Sequence, residues 1–343
     1  MRNLNLTSAS QIKLDASALS DLDTTGAWLL LQLKARAAEG KRLQGFDVPE
    51  VFQSLIDTLG SEHPAPITTP SERRASGGFT GFLETLGSAT ERGLRQAYEM
   101  LGYFGLISVE TSGTVIHPRR LRLPALLNQI EQTGLRAMPI VGVLSFAIGI
   151  VLAYQGAEQL KRFGAELFTI DLLGIGTLRE VGGLMAAIML AGRSGSAFTA
   201  QIGTMKLNQE IDAIETFGLD TIQLLVLPRV LGLLIALPLL TLYADAMMLL
   251  GGAVMCFFYL NITATGFLNR LHEAINLTTL WIGLVKAPVY AFVIALVGCF
   301  EGLRVTGSAA SVGIQTTRAV VESVFLVILI DGAFSVLFSI LGI

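Results

Sequence analysis

Four ionisable residues stand inside otherwise apolar runs: Arg193, Asp245, Lys286 and Asp331. A charge placed there is costly and normally faces a partner or a polar cavity, so the four read as structural ion pairs, with a proton or substrate relay as the alternative. No nucleophile elbow, P-loop or pair of carboxylates beside a histidine accompanies them, so no catalytic residue is assigned. Cys256 and Cys299 sit in apolar runs, which excludes a disulfide scaffold and a cysteine-based zinc site. His63, His117 and His272 have no ligand spacing, so no metal is expected. Residues 205 to 217 form a short amphipathic segment between two apolar stretches. Met205, Ile211 and Ile214 are available for a groove, and Glu210, Asp212 and Glu215, beside Gln209, for a basic rim.

The elements that hold these residues follow from composition. The chain has 343 residues, 52% hydrophobic and only 15% charged, with a mean hydropathy of +0.62. Globular chains average about 25% charged residues, so this is a membrane-protein composition. The charge is uneven: residues 1 to 136 carry 14 basic and 14 acidic side chains, and residues 137 to 343 carry 10 and 13. A net charge of −3 without a basic block argues against nucleic acid as a partner. The first apolar run does not follow a basic N-terminus, so no cleavable signal peptide is read.

Crossing about 30 Å of hydrocarbon takes about 20 helical residues. Spans are expected near 137–156, 180–203, 229–258, 281–301 and 320–341. The third contains Pro238 and could be one kinked helix or two helices turning near Asp245. In the second span Gly183, Ala187, Ala191, Gly195, Thr199 and Gly203 recur every fourth residue, a ridge over which another backbone can approach closely. Ahead of the spans, Leu94, Tyr98, Leu101 and Phe104 recur at spacings of three and four, as in a helix lying in a membrane interface. A second amphipathic turn runs through Leu126, Leu127 and Ile130.

Residues 1 to 60 read as a small α/β module, with a strand at Gln11 to Leu14 and helices at 25–38 and 48–59. Residues 61 to 90 read as a linker, marked by Pro64, Pro66, Pro70 and the Ser76, Gly77, Gly78 cluster. Residues 91 to 343 form the membrane domain. With the module inside, Arg119, Arg120, Arg122, Arg136, Lys206, Arg304 and Arg318 fall on the cytoplasmic side, against Lys161, Arg162 and Arg270 outside, as the positive-inside rule requires.

Residues 193 to 220, RSGSAFTAQIGTMKLNQEIDAIETFGLD, followed by Leu227, Pro228 and Arg229, resemble the signature of the MlaE family of ABC-transporter permeases. The resemblance extends to Leu178, Arg179 and Glu180, to residues 237–241, and to residues 316–321. Asn208, Gln209 and Glu210 depart from the family's usual Thr-Glu-Gln. The resemblance implies a mostly α-helical integral membrane protein of the bacterial inner membrane, with about five spans, interfacial helices and a cytoplasmic N-terminus. It also implies a homodimer that works with a separate ATPase, which alone holds ATP and Mg, and with a periplasmic MCE-domain protein. The cargo implied is phospholipid, and the chain itself is not expected to be an enzyme. Residues 205–217 then correspond to the coupling helix that docks on the ATPase.

Lipid is expected in an outward-facing cavity between two copies. Leu152, Tyr154 and Gln155 at the end of the first span supply apolar and polar walls, and Arg179 and Glu180 supply a charge of each sign. Residues 14 to 27 resemble the central strand and helix start of a STAS domain, with Asp23, Thr24 and Thr25 at its contact surface. That fold normally begins with another strand or two, so on this resemblance the module is expected to be shortened at its start. Two other classes compete: an ion-coupled secondary anion carrier, since some carriers bear STAS domains, and an integral membrane enzyme acting on lipid.

Overall fold

The computed structural model describes residues 12–16, 21–39, 43–62, 79–116 and 123–342. It separates into two units, Met1–Arg92 and Gly93–Ile343. In the first, β1 (Ile12–Asp15) pairs in parallel with β2 (Leu43–Asp47), α1 (Thr24–Glu39) connects them, and α2 (Glu50–Glu62) follows. Two parallel strands need a crossover of this length, and α1 supplies it. Asp23 starts α1: its carboxylate accepts the Gly26 N–H at 2.7 Å, satisfying a first-turn donor that the helix cannot satisfy itself. Ala16, Ala27 and Ile56 are buried in this unit.

β2 has no counterpart in the sequence reading, because Leu43 and Phe46 are its only large apolar residues and Gly45 interrupts any alternation. Gln11, Ser17 to Ser20, the linker prolines, residues 76 to 78, His63, His117, and Arg119, Arg120 and Arg122 all lie outside the described residues.

α3 (Phe79–Ile116) is longer than the amphipathic pattern alone suggests. Leu94, Tyr98 and Leu101 stay exposed along one side, while Met100, Tyr103 and Ile107 pack against the bundle. This is the division expected of a helix with one face toward lipid. Burial, with the Cys299 thiol close by, pushes the Tyr103 hydroxyl above its ordinary pKa.

Among the described residues five helical stretches are long and apolar enough to cross a membrane: Leu123–Lys161, Phe168–Leu207, Ile222–Leu260, Leu277–Leu303 and Ala309–Leu341. The first consists of α4 (Leu123–Thr133), a tight turn at Leu135–Ala137 and α5 (Met138–Lys161), which has Pro139 in its first turn. The second comprises α6 (Phe168–Gly176), α7 (Gly182–Leu190) and α8 (Ser196–Leu207), joined by π turns at Thr177–Val181 and Ala191–Gly195. A short helix, α9 (Glu210–Thr216), then leads to a further π turn and α10 (Leu227–Leu260). α10 is one helix through Pro238, which settles the one-or-two question in favour of a single span. α11 (Ala264–Ala274), α12 (Leu277–Leu303) and α13 (Ala309–Leu341) complete the chain.

The most apolar stretches of α10 and α12 are each 61% buried, against 6% for α13, so α10 and α12 are central and α13 peripheral. α5 lies along α10 through a stripe that sequence reading missed: Val141, Ser145, Gly149, Ala153 and Ala157, all buried. A Cβ at Gly149 would strike the Met248 backbone carbonyl, and one at Gly251 the Phe146 carbonyl, so each helix presents a glycine where the other's backbone approaches.

Candidate functional site

The charged residues at the start of the second span meet the last two helices. Lys286 on α12 is almost wholly buried, its Nζ 2.5 Å from Glu180 Oε2 and 3.0 Å from Asp331 Oδ1 on α13. The Tyr290 hydroxyl donates to Asp331 Oδ1 at 2.6 Å and the Ser335 hydroxyl to Glu180 Oε2 at 3.1 Å. Arg179 Nε lies 3.7 Å from Glu180 Oε1. Cations and carboxylates therefore alternate, the condition under which charges persist in an apolar span. The π turn Thr177–Val181 carries Arg179 and Glu180.

Of the four intramembrane charges read as ion pairs, Lys286 and Asp331 form one. Arg193 and Asp245 do not. Arg193 Nη1 donates instead to the Gln132 carbonyl at 3.2 Å. Asp245 is buried on α10 beside Gly182, where a Cβ would collide with its carboxylate, and among the described residues its Oδ1 has no partner. Periodicity shows that a helix face is apolar but not which neighbour lies across it, and so it could not separate these cases.

Leu152, Tyr154 and Gln155 have different surroundings from Arg179 and Glu180. Leu152 packs against the buried cluster that holds Ala153, Ile170, Leu173 and Cys256, and the Tyr154 ring meets Tyr259 edge-on at 5.3 Å. Gln155 is exposed. Tyr259 in turn donates to Glu158 at 2.6 Å. Within one chain Leu152 and Tyr154 thus face α6 and α10, whereas Glu180 faces α12 and α13. At the same end of the spans, Arg270 on α11 grips Asp171 with Nε at 2.8 Å, and that hydrogen bond raises the guanidinium pKa above its ordinary value.

At the opposite end, α8 stops at Leu207 and Gln209 takes a left-handed backbone, φ 61°, to start α9. The structure shows which side of this segment faces the bundle. Ile211 is buried in the main core, and Met205 packs against that core. Ile214 is half-buried, so the apolar side of α9 is turned toward the bundle. Gln209, Glu210, Asp212, Glu215 and Phe217 are exposed, Phe217 at 82%. Seven helical residues give room for one anchoring face, and the core takes it.

The ridge of the second span is buried along its whole length, from Gly183 through Ala187, Ala191, Gly195 and Thr199 to Gly203. Its neighbour at the far end is α12 of the same chain: a Cβ at Gly298 would lie 2.8 Å from the Gly195 carbonyl, and Gly203 faces Val305 just beyond α12. Every fourth residue drifts roughly 40° per step on an ideal helix. The wider π turns wind the chain back, which keeps the ridge on one side.

Sequence reading missed one polar network. Gln96 on α3 donates to Glu301 at 3.2 Å and to Glu322 at 2.9 Å. Arg318 bonds both Glu322, at 2.9 Å, and Gln96, while Arg304 reaches Glu301 at 3.4 Å. The i,i+4 spacing of Arg318 and Glu322 was the available signal.

Comparison with known proteins gives three results. The family model described as Permease MlaE matches residues 126–337. A protein named probable ABC transporter permease protein from Rickettsia felis is 32% identical over 248 residues, 72% of this chain and 95% of that one. The intermembrane phospholipid transport system permease protein MlaE of Haemophilus influenzae is 27% identical over 256 residues, 74% of this chain and 95% of its own length.

Proposed function

The chain belongs to the MlaE permease family, and from that we propose that it is the membrane subunit of an ABC transporter that moves phospholipid or a related lipid. Transport runs between the bacterial inner membrane and a periplasmic partner of the MCE type, and it maintains outer-membrane lipid asymmetry. The observation that carries this reading is α9, a short helix between two spans, pinned by Ile211 on one side and presenting Glu210, Asp212, Glu215 and Phe217 on the other. Such a surface suits a separate ATPase with a basic rim and an apolar pocket. ATP and Mg are bound by that subunit, and hydrolysis takes place there.

The excess of Lys and Arg at the α9 end of the spans favours a cytoplasmic position for that end and for the N-terminal unit. The opposite end then faces the periplasm. A lipid cavity at that end draws on Tyr154 and Gln155 of one copy and on Arg179 and Glu180 of a second, because one chain turns the two groups toward different neighbours. This arrangement makes the working unit a homodimer. The N-terminal β–α–β–α unit reads as a STAS-like docking module, with Thr24 and Thr25 exposed beside the Asp23 cap.

The test is reconstitution of the full chain with its ATPase in phospholipid vesicles. ATP-dependent transfer of a fluorescent phospholipid to a soluble acceptor is expected, together with phospholipid adducts from photocrosslinkers at positions 154 and 180. Ion-driven uptake by the chain alone, with no ATP-dependent lipid transfer, would instead identify an anion carrier.

A further inference from the structure

A polar cleft opens between α4 and the second span, on the α9 side of the molecule and away from the proposed lipid cavity. Gln132, Arg136, Arg193, Ser194, Phe198 and Gln201 line it, and it encloses about 170 Å³. A water occupies about 30 Å³ in the liquid, so the cleft takes a headgroup-sized polar group but not an acyl chain.

Its charge is unbalanced. Among the described residues Arg193 donates only to the Gln132 carbonyl, at 3.2 Å. Arg229, behind Gln201, donates to Gln201 Oε1 at 3.2 Å and to the Leu225 carbonyl at 2.6 Å, and among the described residues its Nε has no partner. Among the described residues neither guanidinium meets a carboxylate. Arg136 does, but its partner is Glu131 at 3.2 Å, and both side chains are more than half exposed. Three guanidinium groups thus share one carboxylate, and Arg193 and Arg229 are partly buried, where an uncompensated cation is costly.

A neutral group points to the same occupant. Ser194 is 3% exposed and lines the cleft, yet among the described residues its hydroxyl has no partner. A helical serine ordinarily bonds a carbonyl one turn back, as Ser196 does with Gly192 at 2.5 Å. Ser194 sits in the π turn Ala191–Gly195, between α7 and α8. A buried hydroxyl without a partner costs stability unless a ligand takes the bond.

We propose that this cleft binds a phosphate group, held by Arg193 and Arg136 and by the Ser194 hydroxyl. A phosphate brings the missing negative charge and several acceptor oxygens, the group that guanidinium forks recognise. Its source is a phospholipid headgroup or free phosphate, and the lipid source rests on the transport reading above.

The experiment titrates the purified full chain in detergent with dihexanoyl-phosphatidylglycerol, with inorganic phosphate, and with dihexanoyl-glycerol, which has the same chains and no phosphate. Arg193→Gln and Arg136→Gln should each weaken phosphate-bearing ligands by about tenfold or more, the loss expected for one charge-assisted hydrogen bond. Ser194→Ala should weaken them several-fold, and it keeps the test valid if Arg193→Gln fails to fold. Tight binding of the phosphatidylglycerol with this variant dependence supports a headgroup site. The same dependence for inorganic phosphate alone supports a free-phosphate site. Equal binding of the glycerol lipid, or variants that match the wild type, overturns the proposal. Flat titrations beside intact lipid transfer would remove this site alone, whereas variant-dependent titrations without any transfer would remove the transport reading alone.

Discussion

The Thr199 hydroxyl donates to the Gly298 carbonyl at 2.8 Å, across the line where α8 meets α12. This is a hydrogen bond between two spans at a point where both present small residues, so it depends on the close approach and does not create it. Removing the bond and blocking the approach should therefore differ in cost. Thr199→Val should lose about 0.5–1.5 kcal/mol. Gly298→Ala, whose Cβ would lie 2.8 Å from the Gly195 carbonyl, should lose about 1–3 kcal/mol through overpacking. Thermal unfolding in detergent measures both, and a Gly298→Ala variant as stable as wild type would refute the close contact.

Lys286 lies between Glu180 and Asp331, so its removal leaves two carboxylates facing each other without a cation between them. Lys286→Met should destabilise by about 3–5 kcal/mol, the cost of breaking a buried pair. Asp331→Asn should cost less, since Lys286 keeps Glu180. The reverse order in thermal melts would show that Asp331, through Tyr290, is the anchor.

Charge reversal at Glu210 and Asp212 should reduce ATPase co-purification and leave the melting temperature unchanged, because both side chains are exposed. Ile211→Ala acts through the core and should cost about 2–5 kcal/mol of stability. Phe217→Ala should weaken retention of the ATPase without affecting the fold. Retention unchanged in both surface variants would remove α9 from the docking surface.

Deleting residues 1–62 should leave membrane insertion intact and lower retention of the ATPase, since a tethered module raises the local concentration of even a weak contact. Within the module, Asp23→Ala should cost about 1 kcal/mol through the lost cap, whereas Thr24→Ala and Thr25→Ala should leave stability unchanged. Full retention in the deletion would leave the module without a docking role.

The five spans were legible because lipid demands long apolar runs, and the ridge from Gly183 to Gly203 because small residues in register have few other causes. The matching stripe on α5 escaped notice because Val141 begins it and Ser145 interrupts a run of glycine and alanine. The direction of Ile211 was not legible either. In so short a helix an apolar residue serves equally well to hold the segment down or to meet a partner, and only the position of the core decides. Nor does any residue type announce a π turn, yet two such turns carry Glu180 and Arg193. The charged residues were therefore found in the sequence, while their partners had to be read from the packing of helices far apart in the chain.

Gln209 gives the α8–α9 turn a mechanical character. A non-glycine side chain in the left-handed region occupies a narrow energy well of higher base energy, about 1 kcal/mol or more above ordinary backbone, with steep walls on every side. Such a joint is stiff. With Ile211 fastened to the core one residue into the next helix, a displacement applied at Glu210 or Phe217 should be passed to the second span instead of being absorbed in the turn. Gln209→Gly should relieve the strain and raise stability slightly while adding slack to the linkage: on the transport reading, the lipid moved per ATP consumed in reconstituted vesicles should fall, and an unchanged ratio would show that the turn transmits nothing.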